Sequence, residues 1–76
     1  MRMYRIEEVI SHIVVEGRAH TTYGIRIESD EGCAVVEDVS VDRAAVAALR
    51  RRMYEGRLSP LHLQDVVEDW LDGGLL

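Results

Sequence analysis

The sequence predicts an α+β fold, a three-stranded antiparallel meander followed by two helices packed on one face, in order βββαα. Three observations carry this. Tyr23, Ile25 and Ile27 alternate with Gly24, Arg26 and Glu28, the period-two signature of a half-buried strand. Val46, Leu49 and Met53 stand at i, i+3 and i+7 on an Ala-rich segment. Leu63, Val66, Val67, Trp70 and Leu71 then form a second helical stripe behind Ser59-Pro60.

The first element is the least direct to read. In Tyr4–Val15 the residues Ile6, Val9, Ile10, Ile13 and Val14 have helical spacing, yet the segment is dominated by Val and Ile. Branched side chains pack well on a pleated surface, and Glu16-Gly17-Arg18 behind them has the composition of a hairpin turn. We read a strand. The segment from Tyr23 is the second strand, and Asp30-Glu31-Gly32 supplies the next turn. Cys33–Val39 is the third, with Ser40 or Asp42 as cap of the first helix and Gly56 as its end. Ser59 caps the second helix, Pro60 takes its first position, and Gly73-Gly74 stops it. Gly24, inside a strand, marks a bulge or a close backbone approach, or makes room for the ring of Trp70 or Tyr23.

Seventy-six residues make one domain, residues 1–76, with a thin core and a margin of ~3–5 kcal/mol. Such chains gain stability by self-association, so a homodimer is expected. The expected core is Tyr23, Ile25, Ile27, Val35 or Val36, Val46, Leu49, Met53, Leu63, Val66, Val67 and Trp70. The first strand carries apolar residues on both sides, Ile6, Ile10 and Val14 against Val9, Ile13 and Val15. Helices cover one sheet face only, which leaves the other set as an association surface, here assigned to Val9, Ile13 and Val15.

The net charge of −5 argues against general affinity for nucleic acid or anionic membrane. Residues 1–40 carry −4, residues 41–58 carry +3 and residues 59–76 carry −4, a layout suited to neutralisation between neighbouring helices. All nine basic residues are Arg, whose planar fork bonds carboxylates bidentately. Cys33 is alone, so the expected setting is reducing and cytoplasmic. The N-terminus has no signal-peptide pattern, and no apolar run approaches the ~18 residues of a membrane span.

Three constellations could carry chemistry. His62, Asp65 and Asp69 share one helical face and include ligand types for a divalent metal, but a solvated polar face, with His62 bonding back to the cap region after Ser59, is the simpler reading. Arg50-Arg51-Arg52 point about 100° apart around a helix. With Arg43 and Arg57 they could grip phosphate or RNA, although pairing with Glu55, Asp65, Glu68 or Asp69 is the expected fate. Cys33 with His12 or His20 as base is formally a nucleophile, against the usual role of free Cys as a small buried hydrophobe. No phosphate loop, paired-Cys spacing or Ser nucleophile motif is present. The expectation is therefore a non-enzymatic interaction or regulatory module without cofactor, with an unidentified protein partner.

Thr22-Tyr23-Gly24-Ile25, Glu37-Asp38-Val39-Ser40 and the stretch from Ser59-Pro60-Leu61-His62-Leu63-Gln64-Asp65 to Val66-Val67-Glu68-Asp69 resemble a family of short bacterial proteins of unknown function. The resemblance spans Tyr4–Leu71. It implies an extended N-terminal segment and a cytosolic bacterial setting, and it implies no activity.

Overall fold

The computed structural model describes residues 3–73. Strand β1, Tyr4–Val15, turns directly into β2, Arg18–Ser29, and β2 into β3, Gly32–Ser40. The strands form one antiparallel sheet in the order β1-β2-β3. Branched side chains thus win over the competing helical spacing of residues 4–15, because the hairpin supplies a partner for every residue of β1, from Tyr4 opposite Ser29 to Val15 opposite Arg18. Its two-residue turn has positive φ at both Glu16 (51°) and Gly17 (78°), the type I′ geometry whose twist matches that of paired strands.

Helix α1, Arg43–Glu55, starts at Asp42, whose carboxylate accepts from the Ala45 N–H at 3.2 Å. Ser40 instead accepts from the Asp42 N–H, so the two residues proposed for one cap divide the work. The end of α1 departs from expectation. Gly56 is right-handed (φ −87°) and Arg57 takes the left-handed position (φ 51°). The bonds Leu58 N–H to Met53 O (2.9 Å) and Arg57 N–H to Tyr54 O (3.1 Å) make a Schellman motif with arginine where glycine is usual. The Arg57 guanidinium lies over the rings of Tyr4 (5.2 Å) and Tyr54 (5.7 Å), contacts that offset the cost of the conformation.

Ser59 caps as expected, accepting from the Leu61 N–H at 3.2 Å. The first turn, Pro60–His62, is 3₁₀, and α2 proper runs Leu63–Leu71. Gly73 follows with φ 85°, while Gly74 lies outside the described residues.

Both helices pack on the sheet face that carries Ile6, Ile25 and Ile27. These join Val39, Val46, Leu49, Met53, Leu63 and Val67 in one buried core, with Tyr23, Val36, Val66 and Trp70 packed at its margin. Val36 is the core-side residue of its pair, and Val35 is exposed. Ile6 and Val39 enter the core in addition to the residues expected there.

Tyr4 ties the ends together. Its hydroxyl donates to Leu58 O at 2.8 Å, across the end of α1. Burial pushes its pKa above the ordinary 10.0, with Arg57 pulling the other way. A folded-state value above the unfolded one means stability that is complete below about pH 10 and is lost as pH rises through the folded value. Tyr4→Phe is therefore expected to lose about 1 kcal/mol at neutral pH and to flatten the alkaline decline, as read by urea melts from pH 7 to 11.

Candidate docking surface

Strand β3 pairs with β2 only between Tyr23 and Ser29. Residues Arg18–Thr22 of β2 therefore have one neighbour, β1, and the distal half of the hairpin continues as a two-stranded arm. Five residues of strand span about 17 Å. The molecule measures 46 × 24 × 18 Å, with a radius of gyration of 12.8 Å against about 11.4 Å for a compact chain of its length.

A free two-stranded ribbon is marginal in water. Here the type I′ turn and the β-branched sequence support it, together with a cross-strand contact of His12 Nδ1 and Thr21 Oγ1 at 3.2 Å. The arm and its foot expose apolar side chains. Ile10 is 54% exposed, Val14 72% and Val15 49%.

These exposures correct the expectation that helices would cover one whole face of β1. Ile10 and Val14 lie on the same side as buried Ile6, yet the helices do not reach them. Twelve residues of strand extend about 40 Å, whereas the thirteen of α1 extend about 20 Å. The helix layer begins at Arg43, which reaches Glu8 (4.0 Å) and lies over the Tyr23 ring (5.8 Å). On the other face, where the sequence placed the association residues, Val9 and Ile13 are half-buried and Val15 is exposed. The comparison of strand and helix lengths was the available signal for Ile10 and Val14.

At the foot of the arm two buried polar atoms lack a hydrogen-bond partner, Glu8 Oε1 and Thr22 Oγ1. Below it the outward face of the sheet carries an ion-pair cluster beside exposed Val35, with Arg26 joined to Glu28 at 3.2 Å and Arg5 4.0 Å from Glu28. The Arg26 guanidinium is held above its usual pKa by neighbouring Cys33 and then by Glu28.

The other candidates are dispersed. Cys33 is exposed rather than buried, and it lies opposite Glu28. His20 is eight residues further along β2, about 26 Å away, and pairs with Ile13, so neither His20 nor His12 is brought to the thiol. His62, Asp65 and Asp69 are all exposed, and the His62 side chain makes no cap bond. Among the described residues no three His, Cys, Asp or Glu side chains are grouped to hold a metal ion. Arg51 pairs with Glu55 of its own helix at 3.7 Å and Arg43 with β1, so these two find their carboxylates elsewhere than on α2. Arg57 lies against the two tyrosines and Arg50 is half-buried, which spreads the arginines over different surfaces. Among the described residues no helix is long and apolar enough to cross a membrane.

The sequence matches the family of unknown function DUF6514 over residues 2–73. The chain belongs to that family. The DUF6514 match takes in sheet, arm and both helices, so the arm lies within the family domain. No curated protein and no solved structure matches this DUF6514 member.

Proposed function

We propose that the chain is a non-enzymatic protein-interaction module that docks through the β1–β2 arm. The observation that supports this most is the exposed apolar pair Ile10 and Val14, on one face of the ribbon beyond the core. Folding alone does not call for such a strip, since a solvated ribbon would be as well served by Thr. Contiguous exposed apolar surface on a small domain is commonly an association site. The lone exposed thiol of Cys33 suits a reducing cytoplasmic setting.

Ile10→Thr/Val14→Thr keeps the β propensity and removes the apolar face. Affinity capture from the native cell, compared between wild type and this variant, is expected to show partners that the variant loses. An identical captured set would refute the arm as the docking site.

Nucleic-acid binding through Arg43, Arg50, Arg51 and Arg57 has less support, because several of these guanidiniums already engage rings or carboxylates. Salt-dependent RNA or DNA binding would favour that reading instead. A metal site at His62, Asp65 and Asp69 would require those exposed side chains to converge, and a zinc- or manganese-dependent rise in melting temperature would speak for it.

A further inference from the structure

Strand β1 is an outer strand of the sheet, so its free side is twelve residues long. The two-residue type I′ turn ties Val15 to Arg18 as a hydrogen-bonded pair. Bonding alternates along an antiparallel ladder, so the N–H and C=O groups of Tyr4, Ile6, Glu8, Ile10, His12 and Val14 point outward. An edge of this length without proline is a ready template for another strand.

Deepening the docking reading, on which this rests, we propose that the occupant of the edge is a second copy of the chain. Its β1 lies antiparallel to this β1 about a two-fold axis that passes between the two copies' Ile10 residues. Residues i and j face each other when their numbers add to twenty. Ile10 then meets the partner's Ile10, Ile6 meets the partner's Val14 and Glu8 meets the partner's His12. Every cross-strand pair on the helix-side face between residues 6 and 14 is apolar–apolar or acid–imidazole. Moving the register by two residues either way destroys this. In one direction Glu8 faces the partner's Val14 and Ile10 the partner's His12; in the other Glu8 faces the partner's Ile10 and Ile6 the partner's His12. The opposite sheet face gains less, since Val9 meets the partner's Ser11 and Glu7 the partner's Ile13.

Three observations converge on this arrangement. Glu8 Oε1 is buried and without a hydrogen-bond partner in the single chain. His12 has its Nδ1 against Thr21 Oγ1, and the tautomer in which Nδ1 accepts leaves Nε2–H free to donate to that oxygen across the axis. The helix layer covers only the proximal half of its own sheet, so the two-fold sets each exposed Val14 beside the other copy's Ile6 and helix edge. The chain also exposes 5334 Å², against ~4,700 Å² for a compact monomer of 8.6 kDa. That surplus is of the order of the ~800 Å² each partner contributes to an ordinary interface.

The test uses the full chain with Cys33→Ser as background. Sedimentation velocity is expected to show a dimer, and Ile10→Cys is expected to form an interchain disulfide on mild oxidation, because hydrogen-bonded antiparallel pairs fall within disulfide reach. Val14→Cys faces Ile6 across the axis and is expected to remain reduced. Ile10→Arg sets two like charges opposite each other and is expected to weaken association at least about tenfold. A monomer up to about 1 mM overturns the proposal, as does a Val14→Cys cross-link as efficient as that of Ile10→Cys. A monomer whose captured partners are still lost in Ile10→Thr/Val14→Thr overturns the dimer alone and leaves the docking reading intact.

Discussion

Gly24→Ala is expected to cost about 3 kcal/mol or more, at the upper end of what overpacking does, and to leave much of the protein unfolded. The added methyl would lie on the Val36 carbonyl oxygen and 2.8 Å from Glu37 Cα. Both obstacles are backbone, so no rotamer change relieves the clash. They are there because β3 bulges at this point. Ile25 faces Val36 and Tyr23 faces Ser40, which leaves Gly24 alone opposite Glu37, Asp38 and Val39. The bulge also turns Asp38 to φ 53° and delivers Val39 to the core at 6% exposure. Undoing it to admit a methyl group would cost the Val39 contacts as well. Gly17→Ala is the control: its Cβ would meet nothing within 4 Å, and only its φ of 78° resists, about 1 kcal/mol. Urea melts of the two variants should differ by at least 1–2 kcal/mol, a gap several times the usual fitting error.

Leu63→Ala is expected to cost about 3 kcal/mol, within the 2–5 kcal/mol found when a fully buried leucine is truncated. Leu63 has 0% exposure and opens α2 against the sheet. Leu61, two residues earlier in the 3₁₀ turn, is 72% exposed, and Leu61→Ala should change stability by less than about 0.5 kcal/mol. In a domain of this size 3 kcal/mol corresponds to a fall in melting temperature of roughly 12–24 °C. Thermal melts followed by circular dichroism would show it. Equal losses at the two positions would mean that the register of the turn, and hence the docking of α2, is wrong.

Much of the fold could be read from the residues. Alternation at Tyr23–Glu28, the turn residues at 16–17 and 30–32 and the two apolar stripes each report a local preference that the tertiary structure leaves unopposed. Gly24 was legible for the same reason, because glycine inside a strand has few explanations. What sequence patterning does not carry is extent. Alternation along β1 assigns Ile6, Ile10 and Val14 to one face, but it does not say where the covering helices stop. Hence Ile6 is core while Ile10 and Val14 are left exposed, where the pattern alone had left Val9, Ile13 and Val15 as the uncovered set. The choice between Val35 and Val36 needed the pairing with Ile25, and the burial of Val39 depends on a bulge that shifts register by two residues. The left-handed Arg57 was hidden because Gly56 beside it is the more usual helix terminator; the tyrosines that hold it, Tyr4 and Tyr54, lie fifty residues apart in the chain.

The central claim is that Ile10 and Val14 serve recognition and contribute little to folding. Melting the Ile10→Thr/Val14→Thr variant beside wild type, at a concentration low enough to keep both monomeric, tests it directly. The prediction is a midpoint within a few degrees of wild type, since neither side chain is buried in the single chain. A drop as large as that of Leu63→Ala would show that the strip is packed inside the monomer, and the arm as described would not exist.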